Sequence, residues 1–286
     1  MHSTNHFYGH AKIFARYCGM DEAPRIRGTI QHGWNLVHGF GFPHNVAHGH
    51  PKFVWSEVVR RRAWSIGWRN YYVLGAPWVY LLTMEPDLGR EPGTERKGTI
   101  WYPFHGSARN EVTGDHTRLI SEIKDTESGD VTVCLHYIEY SDARVRGIYE
   151  DAGFRVVCHG TYGGASGVDD HFLYRQLAEL RRHRRVASNR LSSALFYGIA
   201  AGCEAAVYGD PMHLTGAGSQ AALDGASPLY GDSERGHRMR PQLVGPQIDR
   251  AVAREIAEEE LGYHHIAAPE EIRELFCWGN SGAMSS

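Results

Sequence analysis

The pattern of apolar and polar positions becomes regular in the second half of the chain. From about residue 117 to residue 210, segments with helical spacing alternate with short apolar runs. Leu119, Ile120 and Ile123 recur on one face of a helix, whereas residues 131–137 form a largely continuous apolar run. Such a run is typical of a strand that is buried on both faces of a parallel sheet.

Strands and helices that alternate at this spacing predict a doubly wound parallel sheet, because parallel neighbours need crossover connections. The predicted helices are 117–125, 142–152, 170–183, 190–201, 248–261 and 269–277, and the predicted strands are 131–137, 154–159, 185–187 and 204–208. The expected fold class is therefore α/β. We expect residues 106–286 to form a Rossmann-like domain that binds a nucleotide diphosphate and carries the C-terminal helices.

The first hundred residues show short apolar runs between loops, without a regular alternation. Strands are expected at 27–31, 52–56, 70–74 and 98–104, with a helix at 57–66 and a continuation of the third strand at 79–84. Loops rich in Gly, Pro or His fill residues 38–51 and 87–96. Residues 1–105 are thus predicted to form a reduced N-terminal α/β half on the sugar or metal side.

The composition narrows the function mainly by exclusion. The 286 residues include 42% hydrophobic and 22% charged residues, with a formal net charge of −3. A general nucleic-acid binder would show a basic excess, so we expect no nucleic acid partner. We find no signal-peptide pattern and no apolar run long enough for a membrane span, so the expected location is cytoplasmic. The five scattered cysteines include no C-x-x-C pair and predict no disulfide framework.

Polar residues follow the predicted strands at the edge where an open parallel sheet binds its ligands. The clearest example is the segment after strand 185–187, where a helix is expected to begin. A helix N-terminus offers free N–H groups and a partial positive charge, which suit a diphosphate. The candidate diphosphate-binding residues there are Ser188, Asn189, Arg190, Ser192 and Ser193. The alternative is that Ser188 or Asn189 is an ordinary N-cap.

Two other strand ends have the form of an anion-binding turn, with a histidine, a glycine and a hydroxyl residue. Each glycine permits close approach of the backbone to a ligand. These turns are His105-Gly106-Ser107, with Arg109 just beyond, and His159-Gly160-Thr161; Asp210 follows the last strand. Either histidine can act as an acid or base, or can be a hydrogen-bonded structural residue. His136-Tyr137 ends the strand between them along the chain.

Histidines and carboxylates raise the question of a metal. His32, His38, His44, His48 and His50 lie in or beside a glycine-rich loop, but their spacing matches no zinc template. His32 follows a strand and precedes Gly33, which makes it the likelier site residue of this group. Carboxylates near the expected cleft are Glu57, Glu139, Asp169, Asp170 and Asp210. The metal ligands are left open, with His38, His44 and Asp170 as candidates.

Several segments resemble a known family. Thr29-Ile30-Gln31-His32-Gly33-Trp34, Val54-Trp55-Ser56-Glu57 and Val73-Leu74-Gly75-Ala76-Pro77 look like the N-terminal half of GT-B glycosyltransferases. Residues 188–193 and 208–211 resemble the donor-binding half of those enzymes. The resemblance covers roughly residues 27–212 and rests on short motifs. It implies an enzyme that acts on a nucleotide-sugar.

One departure from that family changes the expected reaction. GT-B enzymes have two full Rossmann-like domains, whereas only about 100 residues precede His105 here. The chain therefore also resembles the flavin-independent nucleotide-sugar mutases, which interconvert pyranose and furanose forms and need a divalent metal. That resemblance implies Mn²⁺ or Mg²⁺ at the diphosphate and acid–base groups of the kind His32, Glu57, His105 and His159 provide.

The preferred expectation is thus a metal-dependent mutase, an isomerase acting on a nucleoside-diphosphate hexose, with a GDP-sugar favoured. The alternative is a GT-B glycosyltransferase that moves the sugar to an acceptor alcohol, and a non-catalytic nucleotide-sugar-binding module is a third possibility. No Gly-x-Gly-x-x-Gly follows an early strand, so we expect neither flavin nor NAD. Tryptophans expected on the surface of the N-terminal half suggest a homodimer.

Overall fold

A computed structural model describes residues 3–35, 39–40, 49–90, 92–106, 111–163, 167–215 and 234–279. The strands are β1 (Thr29–Ile30), β2 (Lys52–Val54), β3 (Tyr71–Val73), β4 (Thr99–Tyr102), β5 (Glu111–Thr113), β6 (Val131–Cys134), β7 (Arg155–Val157), β8 (Arg185–Ser188), β9 (Glu204–Val207) and β10 (His213–Thr215). The helices are α1 (His10–Tyr17), α2 (Glu57–Ser65), α3 (Pro77–Met84), α4 (His116–Thr126), α5 (Tyr137–Ser141), α6 (Ala143–Asp151), α7 (Phe172–Arg182), α8 (Ser193–Ala200), α9 (Glu234–Leu243), α10 (Arg250–Leu261) and α11 (Pro269–Leu275).

The chain divides into two compact units. The first comprises Met1–Pro86, Thr161–Leu173 and Glu259–Ser286, and the second comprises Asp87–Gly160 and Tyr174–Glu258. The sequence pattern predicts a boundary at residue 105 instead. The difference arises because β4 pairs with β6 and β8 inside the second unit, and because two later segments return to the first.

The first unit contains a three-stranded parallel sheet in the order β1, β2, β3. α2 connects β2 to β3, and Val59 and Ala63 on its buried face pack with Val54. α1, which the sequence pattern did not reveal, begins after Gly9, whose φ of 78° is left-handed. This unit is therefore a fuller α/β structure than the reduced half expected from residues 1–105.

The second unit contains a five-stranded parallel sheet in the order β7, β6, β4, β8, β9. The α/β prediction with a parallel sheet is confirmed, since all five of these strands coincide with predicted strands. Trp101 at the sheet centre packs with Leu119 and Ile123 of α4, the helix face predicted from their spacing. β5 and β10 form a separate antiparallel pair that the sequence pattern did not indicate.

Three local expectations were wrong. Residues 79–84 continue no strand but lie in α3, which Pro77 begins at a position suited to its fixed φ. Because Trp78, Val79, Tyr80 and Leu81 are all buried, α3 lacks the polar face that marks a helix in sequence. α8 begins at Ser193 rather than at residue 190, after an N-cap at Ser192.

The third concerns the tryptophans expected on the surface of the N-terminal half. Trp34, Trp55 and Trp78 are buried, whereas Trp64 is 47% exposed. Burial follows from the fuller core of the first unit, in which Trp34 Nε1 donates to Glu260 Oε2 at 2.8 Å. None of the helices in the described part of the chain has the length and apolar character that crossing a bilayer requires.

Candidate functional site

The strand order of the second unit creates a ligand edge at its centre. The chain runs from β4 outward through β6 to β7 and then returns to β8, on the other side of β4. Strand order therefore reverses between β4 and β8, and open α/β sheets bind ligands outside the carboxyl ends of the strands at such a point. The segments that emerge there are 103–106 after β4 and 189–192 after β8.

Asn189, which follows β8, forms hydrogen bonds to the segments that follow β4 and β9. Its Oδ1 accepts a hydrogen bond from the Phe104 N–H at 2.8 Å, and its Nδ2 donates to the Asp210 carbonyl at 2.7 Å. Ser188 adds a bond from its Oγ to the Tyr102 carbonyl at 2.7 Å. These two predicted diphosphate-binding side chains therefore act on the protein's own backbone, and neither is the N-cap of α8. Their contacts fix the segments that form the edge.

Arg190 is held in the same manner. Its guanidinium stacks on the Phe104 ring, with Cζ 3.9 Å from the ring centroid. The Nε and one Nη donate to the carbonyls of Pro211 and Met212. Its positive charge lies at the ligand edge, but these contacts fix its orientation toward the backbone after β9.

The N-terminus of α8 is the anion-favouring feature of the edge. Ser192 is its N-cap, and its Oγ accepts from the Leu195 N–H at 3.3 Å. Ser193 is the first helical residue. The first turn therefore presents backbone N–H groups and the positive end of the helix dipole next to the switch point.

His105, His136 and Glu139 form an ionisable cluster at the carboxyl ends of β4 and β6. The rings of His105 and His136 stack at 4.3 Å with an interplanar angle of 13°. Glu139 Oε2 lies 3.5 Å from His136 Nδ1, and Glu139 Oε1 accepts from the Gly106 N–H at 2.6 Å. Glu139 thus holds both a histidine and the turn that follows His105.

The His105 imidazole is set up as a neutral base. Its Nδ1 lies 2.8 Å from the Gly106 carbonyl, which can only accept, so Nδ1 carries the proton and Nε2 has the free lone pair. The side chain is open to solvent. The surrounding protein nonetheless lowers the pKa of His105 to about 4, by desolvation first and then by His136. His105 is therefore accessible to solvent, while the protein around it disfavours its charged form.

Glu139 is kept as a carboxylate. Desolvation raises its pKa, but the neighbouring His136, the His105 ring when it is protonated and the Gly106 N–H together lower the pKa below its ordinary value. A neutral base beside a retained negative charge can accept a proton, since the carboxylate stabilises the imidazolium that forms.

His159 has a structural environment. It is 5% exposed, its Nε2 lies 2.9 Å from the Tyr102 hydroxyl, and its carbonyl accepts from Arg175 Nε at 2.8 Å. Burial lowers its pKa to about 3, so the ring is neutral at physiological pH. Gly160 follows at a φ of 108°, which glycine alone adopts readily. Thr161, the last residue of this predicted turn, belongs to the first unit.

Asp210 completes the edge of the second unit by closing its own turn. Its Oδ1 accepts from the Met212 N–H at 2.8 Å, and its N–H donates to Glu122 Oε2 at 3.2 Å. The remaining predicted anion-binding residues, Ser107 and Arg109, lie outside the described residues.

His32 and Glu57 belong to the first unit. The His32 ring packs against Phe7 and Tyr8, each at a centroid distance of 5.0 Å. Glu57 begins α2 and forms ion pairs with Arg60 at 2.6 Å and Arg61 at 3.3 Å. The structure therefore brings together His105 with the switch-point residues, and places His32 and Glu57 on a different unit.

The divalent metal remains a prediction. Among the described residues, no group of three or more His, Cys, Asp or Glu side chains is arranged to hold an ion. His38 and His44 lie outside the described residues, and Asp170 alone makes no cation site, because such ions take several oxygen ligands.

Sequence reasoning left His136 and Glu139 out of the principal candidates. His136 follows β6 and Glu139 lies one helical turn further on in α5. The signal that could have found them is their position at the end of the strand adjacent to β4. Strand adjacency, however, is not visible in a linear pattern.

Comparisons with known proteins add only distant similarities. No family model and no curated protein matches the chain. Among 28 matching solved chains is S. aureus MnaA in a co-structure with UDP, at 11% identity and a TM-score of 0.38, covering 76% of this chain and 61% of that one. Os79 from O. sativa with U2F and trichothecene has 12% identity and a TM-score of 0.36, covering 79% and 49%.

A variant of S. aureus TarM in complex with Fondaparinux, alpha-GlcNAc-glycerol and UDP has 12% identity and a TM-score of 0.32, covering 79% of this chain and 41% of that one. The chain thus spans between 41% and 61% of the length of these three proteins. TM-scores below 0.5 are too low to carry a functional argument.

Proposed function

We propose that this protein is an enzyme that processes a nucleotide-sugar at the carboxyl edge of its five-stranded sheet. The observation that carries the proposal is the His105–His136–Glu139 cluster beside the reversal of strand order between β4 and β8. An anion-favouring helix start and a neutral base at one edge suit a substrate with a diphosphate next to its reacting carbon.

The diphosphate is expected at the first turn of α8, beyond Ser192. Negative charge develops on the leaving diphosphate as the bond to the anomeric carbon breaks, and the helix N-terminus stabilises that charge. Asn189 and Arg190 hold the surrounding segments through their backbone contacts. They are positioning residues in this proposal rather than direct ligands.

His105 is the proposed base. The hydroxyl of an acceptor gives its proton to His105 Nε2 while the acceptor oxygen bonds to the anomeric carbon. The diphosphate leaves with the electron pair of the broken C–O bond. Glu139 stabilises the imidazolium through its charge and keeps the turn in place through Gly106.

Transfer to an acceptor is the favoured reaction. The preference for a mutase rested on the shortness of the N-terminal half and on the histidine content, but the first unit also includes residues 161–173 and 259–286 and contains its own parallel sheet. A second α/β unit with its own sheet removes the argument from chain length against transfer to an acceptor. Ring rearrangement of the bound sugar is the competing reaction.

The test is to incubate the protein with UDP- and GDP-hexoses, with and without acceptor alcohols, and with either Mn²⁺ or EDTA. Products are followed by chromatography and NMR. Transfer predicts nucleoside diphosphate release that depends on acceptor. A new sugar isomer of unchanged mass, formed without acceptor, would instead establish the mutase.

His105→Ala should lower the rate of either conversion by about 10²- to 10⁴-fold, and His264→Ala is the matched control because His264 is exposed on the first unit. Absence of both conversion and nucleotide binding with every donor would refute the proposed function.

A further inference from the structure

A second concave site lies at the opposite edge of the five-stranded sheet. It is a cavity of about 770 Å³, formed by the segment before β4, the ends of α7 and α8 and the start of α10. α7 and α8 end where β8 and β9 are about to begin, so the cavity lies at the amino ends of these strands. The switch-point edge lies at their carboxyl ends.

The cavity concentrates positive charge. The arginines that line it are Arg90, Arg96, Arg181, Arg182 and Arg250. Among its described lining residues, the acidic side chains are those of Asp87 and Glu95. Since the whole chain carries a formal net charge of −3, this basic excess is a local feature. Guanidinium groups grouped in a concavity raise the local concentration of anions.

Three of these arginines are anchored by the backbone around the cavity. Arg96 donates to the Ala201 carbonyl at 2.7 Å, and Arg250 donates to the Gly202 carbonyl at 3.1 Å, both at the end of α8. Arg181, which is 5% exposed, donates to the Leu88 carbonyl at 2.8 Å. Each bond uses only part of the donor capacity of a guanidinium, and it fixes the group in place.

These bonds to backbone carbonyls account for the three anchored arginines but not for the whole set. Arg90 lines the cavity with an exposed side chain, next to Gly89, which packs against Ala178 of α7. Arg182 is on the last turn of α7, where its closest ion pair is a long one of 3.7 Å to Glu179. The cavity is thus lined both by arginines that backbone bonds fix in place and by arginines that are less restrained.

We propose that this cavity binds a chain of phosphates, either as inorganic oligophosphate or as the phosphate chain of a nucleotide. Its volume is that of a small-molecule site and exceeds the needs of one phosphate group. Planar guanidiniums form paired hydrogen bonds with phosphate oxygens, which makes them well suited to several linked phosphates. The site is independent of the proposed nucleotide-sugar chemistry at the other edge.

The test is isothermal titration calorimetry of the full chain with inorganic tripolyphosphate at low salt. Arg250→Gln and Arg182→Gln should each weaken binding by about tenfold, since each removes charge-assisted hydrogen bonds. Arg254→Gln is the matched control on the same helix, because Arg254 pairs with Glu258 at 2.8 Å and does not line the cavity. Binding by the control should equal that of the wild type.

If Arg250→Gln fails to fold, Arg90→Gln serves as a further cavity variant. The Arg90 side chain is exposed and lies in a loop outside the helices, so this substitution should not disturb folding. A titration with ATP distinguishes the two ligand sources: tighter binding than tripolyphosphate indicates a nucleotide. His105→Ala should leave tripolyphosphate affinity unchanged. Wild-type protein that does not bind tripolyphosphate, or equal affinity in all cavity variants, would overturn the proposal.

Discussion

The two parallel sheets of the molecule have similar amide contacts at their strand ends, but the ionisable groups beside those contacts differ. Each has a buried side-chain amide that links strand ends. Gln31, after β1, accepts from the Trp55 N–H at 3.0 Å and donates to the Gly33 carbonyl at 2.9 Å. Asn189, after β8, bonds to the segments after β4 and β9.

The difference lies beside these amides. At the edge of the second sheet, His105, His136 and Glu139 form a connected and partly accessible cluster. In the first unit, His10 packs near Trp55, is fully buried, and neither ring nitrogen has a hydrogen-bond partner among the described residues. A histidine near a strand end is therefore a candidate for acid–base chemistry only when it contacts other ionisable groups and is accessible to a substrate.

The largest expected effect is on catalysis. His105→Ala should lower kcat/KM by about 10²- to 10⁴-fold, because it removes a positioned base. His159→Phe should keep much of the activity, since His159 is buried and bonded to Tyr102. Steady-state kinetics with the donor found active would measure both. A larger loss in His159→Phe than in His105→Ala, with both variants folded, would reverse the assignment.

The amides should differ in function but not in stability. Asn189→Ala and Gln31→Ala should each destabilise the protein by about 2–4 kcal/mol, because each leaves a backbone donor and a carbonyl without their bonds. Urea unfolding measures this loss. Only Asn189→Ala should also weaken nucleotide binding, since it releases the segments at the switch point. Equal nucleotide affinity in both variants would show that Asn189 does not position the nucleotide site.

The free energy of unfolding at acid pH should depend on His10, the buried histidine without a hydrogen-bond partner among the described residues. Burial lowers the pKa of His10 to about 3, below its ordinary 6.5. The unfolded chain therefore binds more protons between these values, and stability falls as pH decreases from about 6.5 toward 3. His10→Phe should reduce this loss. Thermal unfolding at pH 7 and pH 5 measures it, and an unchanged pH dependence would contradict the assignment.

The pH dependence of catalysis should follow Glu139. The low pKa of His105 places the acid limb of kcat/KM below pH 6.5. Glu139→Gln retains an acceptor for the Gly106 N–H but removes the charge that favours imidazolium, so the limb should move to lower pH. If the acid limb of kcat/KM in Glu139→Gln moves to higher pH or does not move, Glu139 does not stabilise the protonated form of His105.

The smallest effect is expected at Glu57. It is tied to Arg60 and Arg61 within its own helix, and the Arg61 side chain is 78% exposed. Pairs of this kind contribute about 0.3–0.5 kcal/mol. Glu57→Gln should therefore change stability by about that amount and leave kcat unchanged. A loss of kcat as large as that in His105→Ala would restore Glu57 to the catalytic candidates.

Much of the second unit could be predicted from sequence because helical and strand periodicities are local. The apolar runs at β6, β7, β8 and β9 and the face of α4 were visible directly. α3 was not, because it is apolar on every side. The return of residues 161–173 and 259–286 to the first unit depends on tertiary packing, which no local pattern encodes.

The site was predictable as an edge but not residue by residue. Residue types at strand ends pointed to His105 and to the segment 188–193. They did not reveal that Asn189 and Arg190 bond to backbone carbonyls, or that Glu139 holds the turn after His105. Those contacts depend on β4 lying between β6 and β8.

The most direct test of the account is a crystal structure of the protein soaked with UDP or GDP. We expect the diphosphate at the first turn of α8, beside Ser192, with its terminal phosphate facing His105 Nε2. A nucleotide bound only elsewhere in the molecule, or none at concentrations that saturate the protein in solution, would contradict it.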